Sequence, residues 1–222
     1  MKNNQRFIII GGGHAAGQLI DSLRQEGFKG RITLVTEEGM LPYQRPHLSK
    51  LYLSGGLSKE KLLYRPEEFY TNQKIEVLLN QKVVAIDRSG KRIQLANGEN
   101  LTYDKLAMTT GARVREVSIP GIDAKGIYYL RTIKDTDRIR KELELAQRVV
   151  FIGGGFLGLE SASVVVGQGK QAIVLETQDR IMASAVAPQV SSFYEQLHIS
   201  NGVTINTNTQ LIWIIIFYYR FQ

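Results

Sequence analysis

The sequence predicts an α/β chain with two βαβ units, each carrying its own parallel sheet, plus a small antiparallel β insertion. Three observations point there. A strand–glycine–helix pattern occurs twice, an acidic residue closes the second strand of each copy, and a run of short strands with polar turns lies between them. The string RFIIIGGGHAA at residues 6–16 lies over RVVFIGGGFLG at residues 148–158.

Each copy opens with a short apolar run rich in β-branched residues, the pattern of a buried parallel strand. In the first copy a helix is expected from about His14 to Gln25, with Ala15, Leu19, Ile20 and Leu23 on one face. A second strand, Arg31 to Val35, leads to Glu37 and Glu38. In the second copy the helix is expected from about Phe156 to Val166, and the strand Ala172 to Leu175 ends at Glu176.

The glycines read Gly11-x-Gly13-x-x-Ala16 and Gly153-x-Gly155-x-x-Gly158. In such a Rossmann-like fingerprint the first glycine makes the tight turn and the second lets backbone approach a pyrophosphate. The third lets helix meet strand, and Ala is an accepted variant there. The pyrophosphate then sits at a helix N-terminus, where N–H groups and the helix dipole favour anions. The acid follows 26 residues after Gly11 at Glu37, and 23 after Gly153 at Glu176. A carboxylate there accepts hydrogen bonds from a ribose diol, and Glu176 also repels a 2′-phosphate, which favours NADH over NADPH. Two dinucleotide sites imply two dinucleotides.

The stretch from Leu41 to Gly55 differs from both units. Pro42 and Pro46 are expected to hold an extended loop, with Ser49 and Lys50 near the start of a short helix. Arg45 and Lys50 fit either phosphate neutralisation and contact with an electron-rich ring, or two solvated cations on a surface loop. Short strands follow at Ile75–Leu78, Val83–Ile86 and Arg92–Leu95, with a hairpin-type turn at Asn97-Gly98. Another strand, Lys105 to Thr109, ends at Thr110-Gly111-Ala112, where backbone can come close to a ligand. Arg115 to Gly126 turns loop-like, giving domains at 1–115 and 116–210 and an apolar tail at 211–222.

Composition narrows the chemistry. With 43% hydrophobic content over 222 residues the chain can bury a core, which excludes disorder. The absence of cysteine removes disulfides, thiolate metal sites and thiol nucleophiles, so redox chemistry requires a bound cofactor, and no metal site is expected. Residues 1–150 carry 25 Lys and Arg against 17 Asp and Glu, while residues 151–222 carry 3 against 4. That asymmetry fits steering of an acidic partner or polyanionic cofactor, or a solvated mixed surface. No basic run stands out, so no nucleic-acid partner is expected. Only four apolar residues precede the first glycines, too few for a signal-peptide core, and the tail is too short to span a bilayer. A cytoplasmic protein without membrane contact is the expectation.

The combination resembles the FAD-dependent pyridine nucleotide-disulfide oxidoreductases, and within them the NADH:ferredoxin or rubredoxin reductase branch that serves dioxygenases and cytochrome P450 systems. The likeness runs from Arg6 to about Thr207. It includes LPYQRPHLSK at 41–50, similar to that branch's "LPYxRPPLSK", and TTGAR at 109–113, similar to "ATGAR". It also includes YLRT at 129–132 and GFLGLE at 155–160, similar to "GFIGLE". His47 and Val114 stand where the branch has proline.

The resemblance implies that FAD contacts Gly11, Gly13, His14, Ala15 and Ala16, its adenosine ribose meets Glu37, and further contacts come from Arg45, Lys50, the backbone of Val83, Thr110, Gly111 and Arg131. His14 also reads as a tolerated helix-start residue. NAD(H) would lie on Gly153, Gly155, Phe156, Leu157, Gly158 and Glu176. Lys50 and Glu160 would be the catalytic pair flanking the reactive flavin edge. Relatives that reduce disulfides carry cysteine on the redox path. This chain has none, which leaves electron transfer from NADH through FAD to a ferredoxin or rubredoxin type iron–sulfur protein.

Members of the branch are about twice as long, with a returning FAD segment and a C-terminal domain. The chain is therefore expected to be a truncated or frameshifted product, the C-terminal half of the fold missing and the tail out of frame. Two alternatives to the reductase follow: a non-catalytic nucleotide-binding remnant, or an NADH-sensing flavoprotein.

Overall fold

A computed structural model describes residues 5–212 and residue 214. The expected tail falls largely on residues 213 and 215–222, which lie outside the described residues. The chain forms two compact units. Unit 1 comprises Met1–Arg45 and Ser58–Arg113, and unit 2 comprises Pro46–Leu57 and Val114–Gln222.

Unit 1 begins with β1 (Arg6–Ile10), α1 (His14–Gln25) and β2 (Arg31–Val35). The short helices α2 (Lys59–Leu62) and α3 (Glu67–Asn72) precede β3 (Ile75–Leu78). Then come β4 (Val83–Asp87), β5 (Arg92–Leu95), β6 (Asn100–Thr102) and β7 (Lys105–Met108). A parallel sheet runs β3-β2-β1-β7, and a separate antiparallel sheet runs β4-β5-β6. Central β1 pairs Ile9 with Leu34 on one side and with Ala107 on the other. Both faces of β1 are covered. Ile9 clusters with Ala16 and Ile20 of α1, while Ile8 and Ile10 cluster with Ile93 and Leu95 of β5. A strand buried on both faces has no polar side to show, which is why Ile8-Ile9-Ile10 reads as an unbroken apolar run.

Unit 2 contains α4 (Ile133–Leu145), β8 (Arg148–Ile152), α5 (Phe156–Gly167), β9 (Gln171–Leu175), α6 (Pro188–Ser200) and β10 (Val203–Asn206). Its parallel sheet runs β10-β9-β8. Helix α4 starts in a capping box: the Thr132 hydroxyl accepts from the Asp135 N–H, and the Asp135 carboxylate accepts from the Thr132 N–H. The sequence reading kept residues 1–115 together, whereas Pro46–Leu57 belongs to unit 2. The cause is packing, since Leu53 is buried with Leu143, Leu159, Val165 and Val174.

One local expectation is corrected. Ser49 and Lys50 do not start a helix: a 3-10 helix spans Arg45–Ser49 and ends there. Pro46 has its backbone angle already set for a helical first turn, so it nucleates the turn instead of prolonging the loop. The extended part lies upstream, where Tyr43 forms a β-bridge with Leu63. Among the described residues, no helix is long and apolar enough to cross a membrane.

The two copies differ in how their sheets are covered. Ile10 and Ile152 occupy the same place, paired with Val35 and Leu175. Yet Ile10 is 7% exposed and Ile152 49%. Ile10→Ala is therefore expected to cost about 2–3 kcal/mol, and Ile152→Ala about 1 kcal/mol or less. Urea unfolding of the two variants checks the difference, and equal costs would contradict the unequal cover.

Candidate functional site

In unit 1 the chain leaves β1 through Gly11, at φ +103, whose N–H donates to the Val35 carbonyl at 2.8 Å. Gly12 packs on the Thr36 side chain. Gly13 is the extended N-cap of α1 and offers no side-chain acceptor, so no cap side chain shields the first-turn N–H groups. Ala16 is fully buried, whereas His14 and Ala15 are exposed. The His14 ring turns edge-on to Tyr64, centroids 5.1 Å apart. A Cβ placed on Gly13 would meet only Arg45 Nε, at 3.9 Å. The fingerprint is thus a cradle with a guanidinium at its lip.

That guanidinium is firmly held. Arg45 pairs with Glu38 and donates to the Tyr43 hydroxyl at 3.0 Å, and its carbon lies 4.9 Å from the Tyr43 ring centroid. Tyr43 OH in turn donates to Glu38 Oε2 at 2.6 Å. On the other side of Gly11, the Thr109 hydroxyl lies 2.9 and 2.8 Å from the Ile10 and Gly11 carbonyls, and Thr110 backbone packs close. Gly111 follows directly. Val83 opens β4 and clusters with Ile10. Glu37 is exposed and pairs with Lys82 at 3.3 Å.

Unit 2 repeats the design with different chemistry. Gly153 also has φ +103 and donates to the Leu175 carbonyl at 2.8 Å. Gly155 is the uncapped N-cap of α5, and a Cβ there would meet nothing within 4 Å. A Cβ on Gly158 would overlap the Gly153 carbonyl oxygen, so this helix crosses closer than α1, which accommodates Ala16. Phe156 and Leu157 stand exposed in the first turn of α5.

Glu176 occupies the register position that Thr36 holds in unit 1, directly after the residue paired with the end of the first strand. Its carboxylate accepts from the Gly154 N–H at 2.7 Å and the Gln178 N–H at 2.9 Å. Burial pushes its pKa up, but the Gln178, Gly154 and Thr177 donors outweigh burial and hold it below its ordinary 4.5. A depressed folded pKa contributes stability that is present above the unfolded value and lost as pH falls through the folded one. The Gly154 amide proton shift is therefore expected to stay constant from about pH 8 to about pH 5 and to move only in more acid solution. An NMR pH titration checks this, with Glu176→Gln abolishing the acid transition.

A third cluster is assembled within unit 2 by residues far apart in sequence. Lys50 Nζ lies 2.9 Å from Glu160 Oε1, and the Ser49 hydroxyl donates to Glu160 Oε2 at 2.6 Å. Ser49 is buried, while the Lys50 and Glu160 side chains keep 47% and 29% exposure. A cation and a carboxylate are thus fixed at a partly open surface. Arg131 lies in the same unit, its N–H directed to Asp135 at 3.2 Å just before α4.

Sequence reasoning assigned no role to Thr36, Glu38, Tyr43, Ser49 or Thr109. Glu38 and Tyr43 flank the predicted residues Glu37 and Arg45, but only the fold shows that both turn onto Arg45. Thr36 is found only by aligning the strand registers of the two copies, because the first copy has a longer helix-to-strand connection.

Residues 5–214 match the family model described as pyridine nucleotide-disulphide oxidoreductase. The probable ferredoxin reductase CtmF of Castellaniella defragrans is 40% identical over 211 residues, covering 95% of this chain and 52% of that relative. A rubredoxin-NAD(+) reductase of Pseudomonas putida is 37% identical, over 92% of this chain and 53% of its own. The reductase in a crystal structure of a covalent putidaredoxin reductase–putidaredoxin complex superposes with a TM-score of 0.91 at 36% identity, covering 96% of this chain and 52% of that one. The chain spans about half the length of the curated relatives it matches.

Proposed function

The chain belongs to the pyridine nucleotide-disulphide oxidoreductase family, and from that premise we propose that it is the nucleotide-binding part of a cytoplasmic reductase carrying electrons from NADH through FAD to a ferredoxin or rubredoxin type iron–sulfur protein. The observation that carries the reading is the doubled cradle: Gly11 and Gly153 at the same backbone angle, each leading into a helix whose N-cap is an uncapped glycine.

The residues fit the two dinucleotides. Gly11, Gly13 and the first turn of α1 offer N–H groups to the FAD pyrophosphate, and Arg45 adds a cation beside Gly13. Thr110, Gly111, Val83 and Glu37 are the further candidate contacts in unit 1; Lys50 and Arg131, candidates through the family resemblance, lie in unit 2. Gly153, Gly155 and the first turn of α5 face open space suited to the NADH pyrophosphate, with Glu176 held charged for the ribose diol. FAD, when bound, supplies the conversion of a two-electron donor into a one-electron donor. Lys50 and Glu160 orient charge at the partly open surface they share, and this chain, which has no cysteine, supplies no thiol. The positive balance of residues 1–150 supports docking of an acidic electron acceptor.

Purified protein tests the reading. Yellow protein whose flavin absorbance bleaches on NADH supports it, and colourless protein that fails to retain added FAD sinks it.

A further inference from the structure

We propose that Glu38, bridged by Tyr43, is a positioning residue that aims the Arg45 guanidinium at the pyrophosphate cradle of unit 1. The inference rests on the reading that this cradle takes FAD, and it adds a residue that neither the sequence motifs nor the family resemblance assigned.

An arginine side chain has four rotatable bonds and sweeps a large volume, so a guanidinium useful to a ligand must be immobilised beforehand. Here the immobilisation is explicit. One guanidinium nitrogen pairs with Glu38 Oε1, and another donates to the Tyr43 hydroxyl at 3.0 Å. That hydroxyl donates to Glu38 Oε2 at 2.6 Å, so both carboxylate oxygens serve one closed ring of bonds. The ring is anchored in the core, because Tyr43 is 1% exposed and its backbone is bridged to Leu63. Nε lies on the cradle side, 3.9 Å from where a Gly13 Cβ would stand.

A carboxylate so near an anion site also has an opposite electrostatic effect, since it partly neutralises the arginine. The two roles predict opposite signs. If Glu38 only neutralises charge, its removal tightens FAD. If it positions Arg45, removal loosens FAD, because an untethered guanidinium loses its alignment.

The experiment titrates the 222-residue chain with FAD by flavin fluorescence, with excess NAD+ filling the second fingerprint. Glu38→Ala is expected to raise the FAD Kd about tenfold, and Tyr43→Phe, which keeps the ring, to raise it about threefold. In an Arg45→Ala background the Glu38→Ala effect is expected to vanish, a coupling that a merely structural role would not produce. Wild-type protein that binds FAD while Glu38→Ala binds as tightly or more tightly overturns the inference alone. So does an effect that persists without Arg45. Wild-type protein that binds no FAD overturns the cofactor reading and this inference with it. Should Glu38→Ala lose its far-ultraviolet circular dichroism, Glu38→Gln and Tyr43→Phe decide by the same criteria.

Discussion

Gly11→Ala is expected to destabilise unit 1 by about 3–5 kcal/mol, while Gly153→Ala costs only about 1–2 kcal/mol. Both glycines have φ +103, so the backbone penalty for adding a Cβ is shared. What differs is the surroundings. A Cβ on Gly11 would stand 2.5 Å from the Thr109 carbonyl oxygen, 2.7 Å from its carbon and 2.9 Å from the Thr110 Cα. These are backbone atoms at the end of β7, pinned by the Thr109 hydroxyl against the Ile10 and Gly11 carbonyls, and they cannot swing aside. On Gly153 the same Cβ would meet nothing within 4 Å. The contrast arises because β1 has β7 as a neighbour while β8 is an edge of its sheet. Urea unfolding followed by circular dichroism measures both. Equal losses would mean that the backbone angle alone governs the cost and that the β7 contact can yield.

The duplicated strand–glycine–helix pattern was legible because it is local. Helix α1 spans His14–Gln25 as the periodicity predicts, and α5 spans Phe156–Gly167, one residue beyond expectation. The strands from Ile75 to Leu95 were equally legible, being short β-branched runs between turn residues. Helices α2 and α3 went unread: at four and six residues they carry too little periodicity to register. The assignment of residues 46–57 to unit 2 could not be read either, since it depends on Leu53 finding partners about a hundred residues away. The same limit governs the site. Gly11, Gly13, Gly153 and Gly155 announce themselves by spacing, because a tight turn is a property of adjacent residues. The Glu38–Tyr43–Arg45 ring and the Ser49 bond to Glu160 depend on where side chains turn after folding. Glu37 and Glu176 looked equivalent in sequence, yet strand register puts Thr36 in the place of Glu176.

Glu160→Gln is expected to slow the bleaching of flavin absorbance by NADH by roughly 100-fold, with little change in FAD retention. The side chain is isosteric, so the loss isolates charge and orientation. In the native chain Glu160 is held from two directions, by Lys50 Nζ at 2.9 Å and by the Ser49 hydroxyl at 2.6 Å. The serine is buried and next to the lysine, so one short segment fixes both the carboxylate and the cation. Removing the negative charge weakens the hold on Lys50, whose side chain is nearly half exposed and would then sample many rotamers. An ordinary exposed ion pair contributes little to stability, so the fold is expected to tolerate the change. A large kinetic effect with an unchanged unfolding curve would therefore place the pair at the reacting edge of the cofactors. Ser49→Ala, which leaves the Lys50 pair but removes the second restraint, is expected to slow bleaching by roughly tenfold. Stopped-flow absorbance of the three proteins, at NADH concentrations high enough to saturate, separates the effect from nucleotide affinity. Bleaching rates within twofold of wild type for Glu160→Gln would assign Lys50 and Glu160 to the surface and remove them from the chemistry.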